Sequence, residues 1–153
     1  MRRLAILVLS SAVLAIAVVA AAQRPAASPV IDVHKDPTCG CCSVWVERLR
    51  ADGFTVRTTD DEDMAAFKAK HNVPRRAQSC HTAVVDGYVL EGHVPVADVR
   101  RLLKDRPAVA GLAVPGMPVG SPGMEVAGVK PQPYDVLAFD KQGSTSVFAS
   151  YNR

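Results

Sequence analysis

The chain has 153 residues, with 18 Lys and Arg against 15 Asp and Glu, a formal charge of +3. Only 5% of its residues are aromatic, and no basic stripe carries interleaved aromatics, which excludes a nucleic-acid-binding reading. Removing residues 1–22, which hold Arg2 and Arg3 and no acid, takes the charge from +3 to +1, so the basic isoelectric point says little about partners.

The chain opens with Arg2 and Arg3, then runs without a charge from Leu4 to Ala22. The run ends Ala20-Ala21-Ala22-Gln23, an A-x-A pattern of small residues, and reads as a secretory signal peptide over 1–22. An uncleaved anchor is the alternative, because about 18 apolar residues can suffice to span a bilayer. The Ala-rich composition favours cleavage. No cysteine closely follows the run, which argues against a lipoprotein anchor. The remainder, 23–153, is sized for one domain with no membrane segment.

The next elements alternate in type. Pro29 to His34 reads as a strand, and Cys41 to Asp52 as a helix ended by Gly53. Phe54 to Thr59 reads as a second strand. The acids Asp60, Asp61, Glu62 and Asp63 then fall where the dipole of a second helix favours negative charge. That helix carries Met64 and Phe67 on one face and stops near His71, before Pro74. Thr82–Val85 and Tyr88–Leu90 flank Asp86-Gly87, a strong hairpin signal. Pro95 suits the first turn of a third helix with Val96, Val99 and Leu103 at helical spacing, and Pro107 lies beyond its end. Residues 111–133 are rich in Gly and Pro and carry Met117 and Met124. Such a length of loop in a compact domain is either functional or a mobile connection. Two strands, Tyr134–Phe139 and Thr145–Ala149, close the chain as a hairpin.

The densest chemistry lies at the first strand–helix junction. Cys39, Cys41 and Cys42 fall within four residues, and Cys80 stands alone. Thiols at a helix N-terminus form thiolates more readily, and thiolates do redox chemistry and bind soft metals. The element order β-α-β-α-β-β-α with C-x-x-C at its first junction is the thioredoxin-like arrangement, an α/β fold. Two departures stand out. Gly40 and Cys41 separate Cys39 from Cys42, with no proline. Before the third strand, where thioredoxin-like proteins place a cis-proline facing the cysteines, this chain has Ser79-Cys80-His81-Thr82. The fold would therefore bring a thiol and an imidazole up to the first three thiols.

Soft thiolates select Cu(I), zinc or iron–sulfur centres. Four neighbouring thiolates could each bridge two Cu(I) ions. A single tetrahedral zinc is the rival, although C-x-C-C is unlike the paired knuckles of structural zinc sites. In an exported protein, disulfides are the bland reading, and four cysteines allow three pairings. One of these joins Cys39 to Cys42 and Cys41 to Cys80. An adjacent Cys41–Cys42 bridge would be strained.

Other candidates divide similarly. His81 is a ligand or a hydrogen-bond partner of Cys80. His34, on the strand leading to the cluster, is a ligand or a packed strand residue. Met117 and Met124 offer thioethers suited to Cu(I), or simply pack. His93, at the hairpin's exit, is as readily an exposed loop residue. Trp45 and Met64 read as core, and His71 as a helix-terminal residue.

These motifs together resemble the periplasmic, thioredoxin-like copper-resistance proteins of the CopG type, a family described as a domain of unknown function. The resemblance rests on the signal peptide, Lys35 to Cys42 with the following Trp45, and Ser79-Cys80-His81-Thr82 before the Asp86-Gly87 hairpin. It continues through Glu91 to Pro95, Gly111 to Pro118 and Gly120 to Glu125, nearly the whole of 23–153. It implies a periplasmic protein that binds copper through Cys39, Cys41, Cys42 and Cys80, and it admits a multinuclear thiolate cluster. It also implies a role in copper redox handling or detoxification, with copper ions, and periplasmic carriers or efflux components, as partners. Three functions fit the sequence: a copper oxidoreductase, a passive copper- or zinc-binding protein, and a thiol–disulfide oxidoreductase.

Overall fold

A computed structural model describes residues 29–153, so the expected signal peptide lies outside the described residues. Strand β1 (Val30–Lys35) leads into helix α1 (Gly40–Ala51), strand β2 (Thr55–Asp60) and helix α2 (Met64–Lys70). A short 3-10 turn (Arg75–Ala77) precedes the hairpin β3 (His81–Val85) and β4 (Tyr88–Glu91). Helix α3 (Val96–Asp105) then leads to β5 (Gly111–Ala113), β6 (Tyr134–Phe139) and β7 (Thr145–Tyr151). Among the described residues the result is a mixed α/β fold with three α-helices and a seven-stranded sheet in the order β2-β1-β3-β4-β5-β6-β7. Among the described residues no helix is long and apolar enough to cross a membrane.

Side chains alternate across each strand, so the two faces of the sheet carry different residues. From β1, Ile31 and Val33 are buried in one core with Trp45 and Leu49 of α1 and Val99 and Leu102 of α3. Fully burying a side chain such as Leu49 contributes about 1.5–3 kcal/mol. Asp32 and His34 occupy the alternate positions of β1, on the other face, where His34 stacks on Phe67 of α2 at 3.7 Å between ring centroids.

Two elements differ from the sequence expectations, and one strong signal holds. The acidic run lies outside the second helix. Asp60 ends β2, and Asp63 is the N-cap, its carboxylate accepting from the Ala66 N–H at 2.9 Å. The hairpin turn places Asp86 and Gly87 at φ 48° and 83°, as the Asp-Gly signal requires. Strand β5 sits inside what reads as loop. It pairs parallel with β4 and antiparallel with β6. A Cβ at Gly111 would lie 2.0 Å from the Val89 carbonyl oxygen, so only glycine allows that approach.

Candidate metal centre

The turn from β1 into α1 is held by Asp36. Its carboxylate accepts from the Thr38 N–H at 2.7 Å, and its carbonyl accepts from the Cys39 N–H at 3.0 Å. Cys39 becomes the N-cap of α1, which puts Cys41 and Cys42 in the first turn. Cys39 and Cys42 are joined in a disulfide, while Cys41 and Cys80 are free thiols. Cys42 is fully buried, and Cys39, Cys41 and Cys80 are half-buried. Cys41 Sγ lies 3.5 Å from Cys39 Sγ. The sulfurs of Cys39, Cys41, Cys42 and Cys80 all fall within 4.8 Å of one another. The topology explains this. Strand β3 lies beside β1, and its first residues emerge at the end of β1 from which α1 departs.

Cys80 is fixed from behind by a buried ionic network. Lys68 Nζ donates to Glu91 Oε1 at 2.6 Å and to Thr82 Oγ1 at 2.8 Å. Thr82 Oγ1 donates to Glu91 Oε2, and the Ser79 N–H donates to Glu91 Oε1, both at 2.6 Å. Burial lifts the Glu91 carboxyl above its ordinary range, against the opposing pull of Lys68. Burial also pushes the Cys80 thiol up to about 11, so it holds its proton at neutral pH.

Two histidines meet that thiol. Cys80 Sγ is 3.1 Å from His93 Nε2 and 3.3 Å from His81 Nδ1. His93 is fully buried, so it is not the exposed loop residue that its place in the hairpin's exit suggests. Its Nδ1 is 2.8 Å from the Pro122 carbonyl oxygen. A carbonyl can only accept, so Nδ1 carries the proton, and Nε2 turns a lone pair toward Cys80. His81 is also fully buried, packed on Trp45 with ring centroids 4.4 Å apart. Burial holds both imidazoles below the usual histidine range, with His81 well below it. Both are therefore neutral at pH 7, the form that ligates metals.

The Gly- and Pro-rich segment is fastened over this site. The Gly116 N–H donates to Gln78 O at 3.1 Å, and Ser79 Oγ donates to the Gly116 carbonyl. Arg48 of α1 pairs with Glu125 at 2.8 Å. Gly123, at φ 89°, passes so near α1 that a Cβ there would lie 3.1 Å from the Cys41 carbonyl oxygen. Met124 is half-buried beside Gly123. Met117 is 52% exposed and follows the Gly116 anchor beside Ser79. The two methionines thus lie on the segment fastened to α1 and to Gln78 and Ser79.

His34 is placed elsewhere. Its Nδ1 is 3.2 Å from an Asp61 carboxylate oxygen, its ring stacks on Phe67, and it is not among the residues whose donor atoms converge with the thiols. The signal was available in the alternation of β1, because Ile31 and Val33 turn the opposite way.

Two solved structures, both described as copper resistance protein CopG, match the chain. The one designated Form 1 is 46% identical, with a TM-score of 0.78, covering 83% of this chain and 100% of the other. Form 2 is also 46% identical, with a TM-score of 0.77 and coverage of 82% and 99%. The chain belongs to the CopG family. A family profile described as "Protein of unknown function, DUF411" matches residues 77–124, the segment from the end of the 3-10 turn through Cys80, His93 and Met124. No curated protein matches the chain.

Proposed function

We propose that the protein is an exported copper-binding protein. In this reading it holds Cu(I) on the thiolates of Cys39, Cys41, Cys42 and Cys80 and serves copper resistance. The observation that carries the reading is the convergence of four sulfurs within 4.8 Å in a chain whose CopG relatives are described as copper resistance proteins. In this reading copper is the protein's cargo. The donor set suits it, because thiolates are the ligands that select Cu(I), and four sulfurs this close can bridge more than one ion. Met124, half-buried next to Gly123 on the segment that approaches α1, is the methionine this reading adds as a thioether ligand.

The order β-α-β-α-β-β-α, with α1 and α3 against one face of the sheet and α2 against the other, supports a thioredoxin-like reading of the fold. The redox reading follows from the disulfide. Closing Cys39 and Cys42 releases two electrons and two protons, and two Cu(II) ions accept the electrons to become two Cu(I). Reopening the bridge by the reverse flow restores two thiolate ligands. Copper carriers and efflux components outside the cytoplasm are the partners such handling needs.

The test is a Cu(I) titration of fully reduced protein and its Cys80→Ser variant. More than one Cu(I) per chain is expected for wild type, with at least one lost and the rest weakened in the variant. Identical stoichiometry and affinity in Cys80→Ser would place Cys80 outside the site. The Cys39–Cys42 bridge at a helix N-terminus favours a second reading, thiol–disulfide exchange. Brisk turnover of disulfide substrates with no copper affinity would install that reading instead.

A further inference from the structure

We propose that residues 119–132 form a lid on the metal centre, an Ω-loop that swings about its neck and is latched shut by the Arg48–Glu125 ion pair. What the lid admits rests on the copper-binding reading, while the lid itself does not. The neck is a double link. The Gln132 N–H donates to Val119 O at 2.8 Å, and the Val119 N–H donates to Gln132 Oε1 at 3.1 Å. Asn152 Nδ2 donates to Gln132 O at 3.1 Å, which ties the neck to the residue that follows β7. Compact surface loops of this length whose ends meet are frequently functional.

Beyond the neck the tip is stiff inside and lightly held outside. The Ser121 N–H and Oγ both donate to Pro118 O, at 3.0 and 2.8 Å. The Met124 N–H donates to Ser121 O at 2.8 Å, and the Gly120 N–H to Met124 O at 3.0 Å. Among the described residues two polar links join this tip to the body. His93 Nδ1 donates to Pro122 O, and Arg48 Nη2 donates to Glu125 Oε2, both at 2.8 Å. The tip therefore touches both flanks of the four-sulfur site. Gly123 lies against the Cys41 backbone, and Pro122 holds the imidazole that meets Cys80 Sγ. Glu125 fastens the tip twice, because the same Oε2 also accepts from the Gly123 N–H at 2.9 Å. The latch is exposed, 44% for Arg48 and 46% for Glu125, so it is weak and salt screens it. The returning arm, from Glu125 to Pro131, is exposed and adds little burial to resist lifting. A stiff tip under a weak latch suits a gate that opens often.

The test is alkylation of Cys41 by iodoacetamide in the full chain with its disulfide intact, read by peptide mass spectrometry. It compares wild type, Arg48→Gln, Glu125→Gln and the swap of Arg48→Glu with Glu125→Arg. Both single variants should react about two- to fivefold faster, as loss of an exposed pair predicts. The swap should return toward the wild-type rate, and added salt should speed wild type but not the single variants. Direct action of the two charges on the thiol would instead slow Arg48→Gln and speed Glu125→Gln. Such opposite shifts, wild-type rates in both single variants, or a swap as fast as either would overturn the latch. Hydrogen exchange should quicken at the Gly123 amide while α1 keeps its protection, and equal quickening of both would show general loosening instead of a lid. Transfer of Cu(I) from reduced protein to a chelator should quicken alongside alkylation, and an unchanged transfer rate would remove the lid from metal exchange. The alkylation needs no metal, so faster alkylation beside absent Cu(I) binding would sink the copper reading and leave the lid standing.

Discussion

Lys68 Nζ lies 2.6 Å from Glu91 Oε1, and both side chains are sealed from solvent beneath the segment that carries Cys80. A buried pair of this kind is weak evidence of net stabilisation, but breaking it leaves an uncompensated charge. Lys68→Met should therefore cost about 3–5 kcal/mol. Pairing it with Glu91→Gln should recover part of that loss, because the neutral amide can still accept from the Ser79 N–H. Denaturant unfolding of the two variants checks this, and additive losses would show that the charges are not coupled.

Cys41 separates metal chemistry from plain disulfide exchange. In exchange, Cys39 and Cys42 attack and resolve, and a third thiol is dispensable. In a copper cluster Cys41, 3.5 Å from Cys39, is placed to bridge ions held by its neighbours. Cys41→Ser should lower Cu(I) capacity and Cu(II) reduction while leaving any insulin-type disulfide reduction intact. Full copper capacity in the variant would favour exchange.

Much of this arrangement is legible in the sequence, because it is encoded locally. The Asp86-Gly87 turn, the alternation of β1 and the C-x-C-C motif at a strand–helix junction each act over a few residues. What escapes has a non-local cause. His93 is buried by its bond to Pro122, 29 residues further along, so its own neighbours carry no sign of it. Strand β5 is three residues long, and Val89 and Phe139 dictate its glycine. Lys68 and Glu91 are 23 positions apart, and each alone reads as a surface charge.

Acid should destabilise the reduced, metal-free protein. The native state holds His81 and His93 below their usual range, so their folded pKa values are depressed. The unfolded chain binds protons near pH 6.5 that the native state refuses. Stability from these groups is present in full above about 6.5 and is lost as pH falls toward the folded values, by no more than about 1.4 kcal/mol per pH unit for each histidine. Unfolding midpoints between pH 5 and 7.5 measure this. His81→Gln should flatten the slope, and an unchanged slope would remove His81 as a cause.

Protein recovered from an exporting cell should begin near Gln23, because Ala20-Ala21-Ala22 offers small residues at the end of an uncharged run. N-terminal sequencing of soluble and membrane fractions checks this. Intact Met1 found only with membranes would convert the signal peptide into an anchor.

The covering segment is tightest against α1 at Gly123. Gly123 sits at φ 89°, a conformation L side chains rarely adopt, and an added Cβ would lie 3.1 Å from Cys41 O and 3.3 Å from the Trp45 backbone nitrogen. Those atoms belong to the first turns of α1 and cannot yield without moving the thiols. Gly123→Ala should therefore push the segment outward rather than shift the helix, at a cost of about 1–3 kcal/mol. The Pro122 carbonyl would move with it and weaken the bond that orients His93. Global stability alone would not identify this change, since any strained substitution lowers it. Two local readouts do. Cys41, half-buried near Gly123, should react faster with an alkylating reagent, and reduced protein should bind Cu(I) more weakly. If alkylation and metal affinity both match wild type while stability falls, the segment is a structural cover that does not orient the metal ligands.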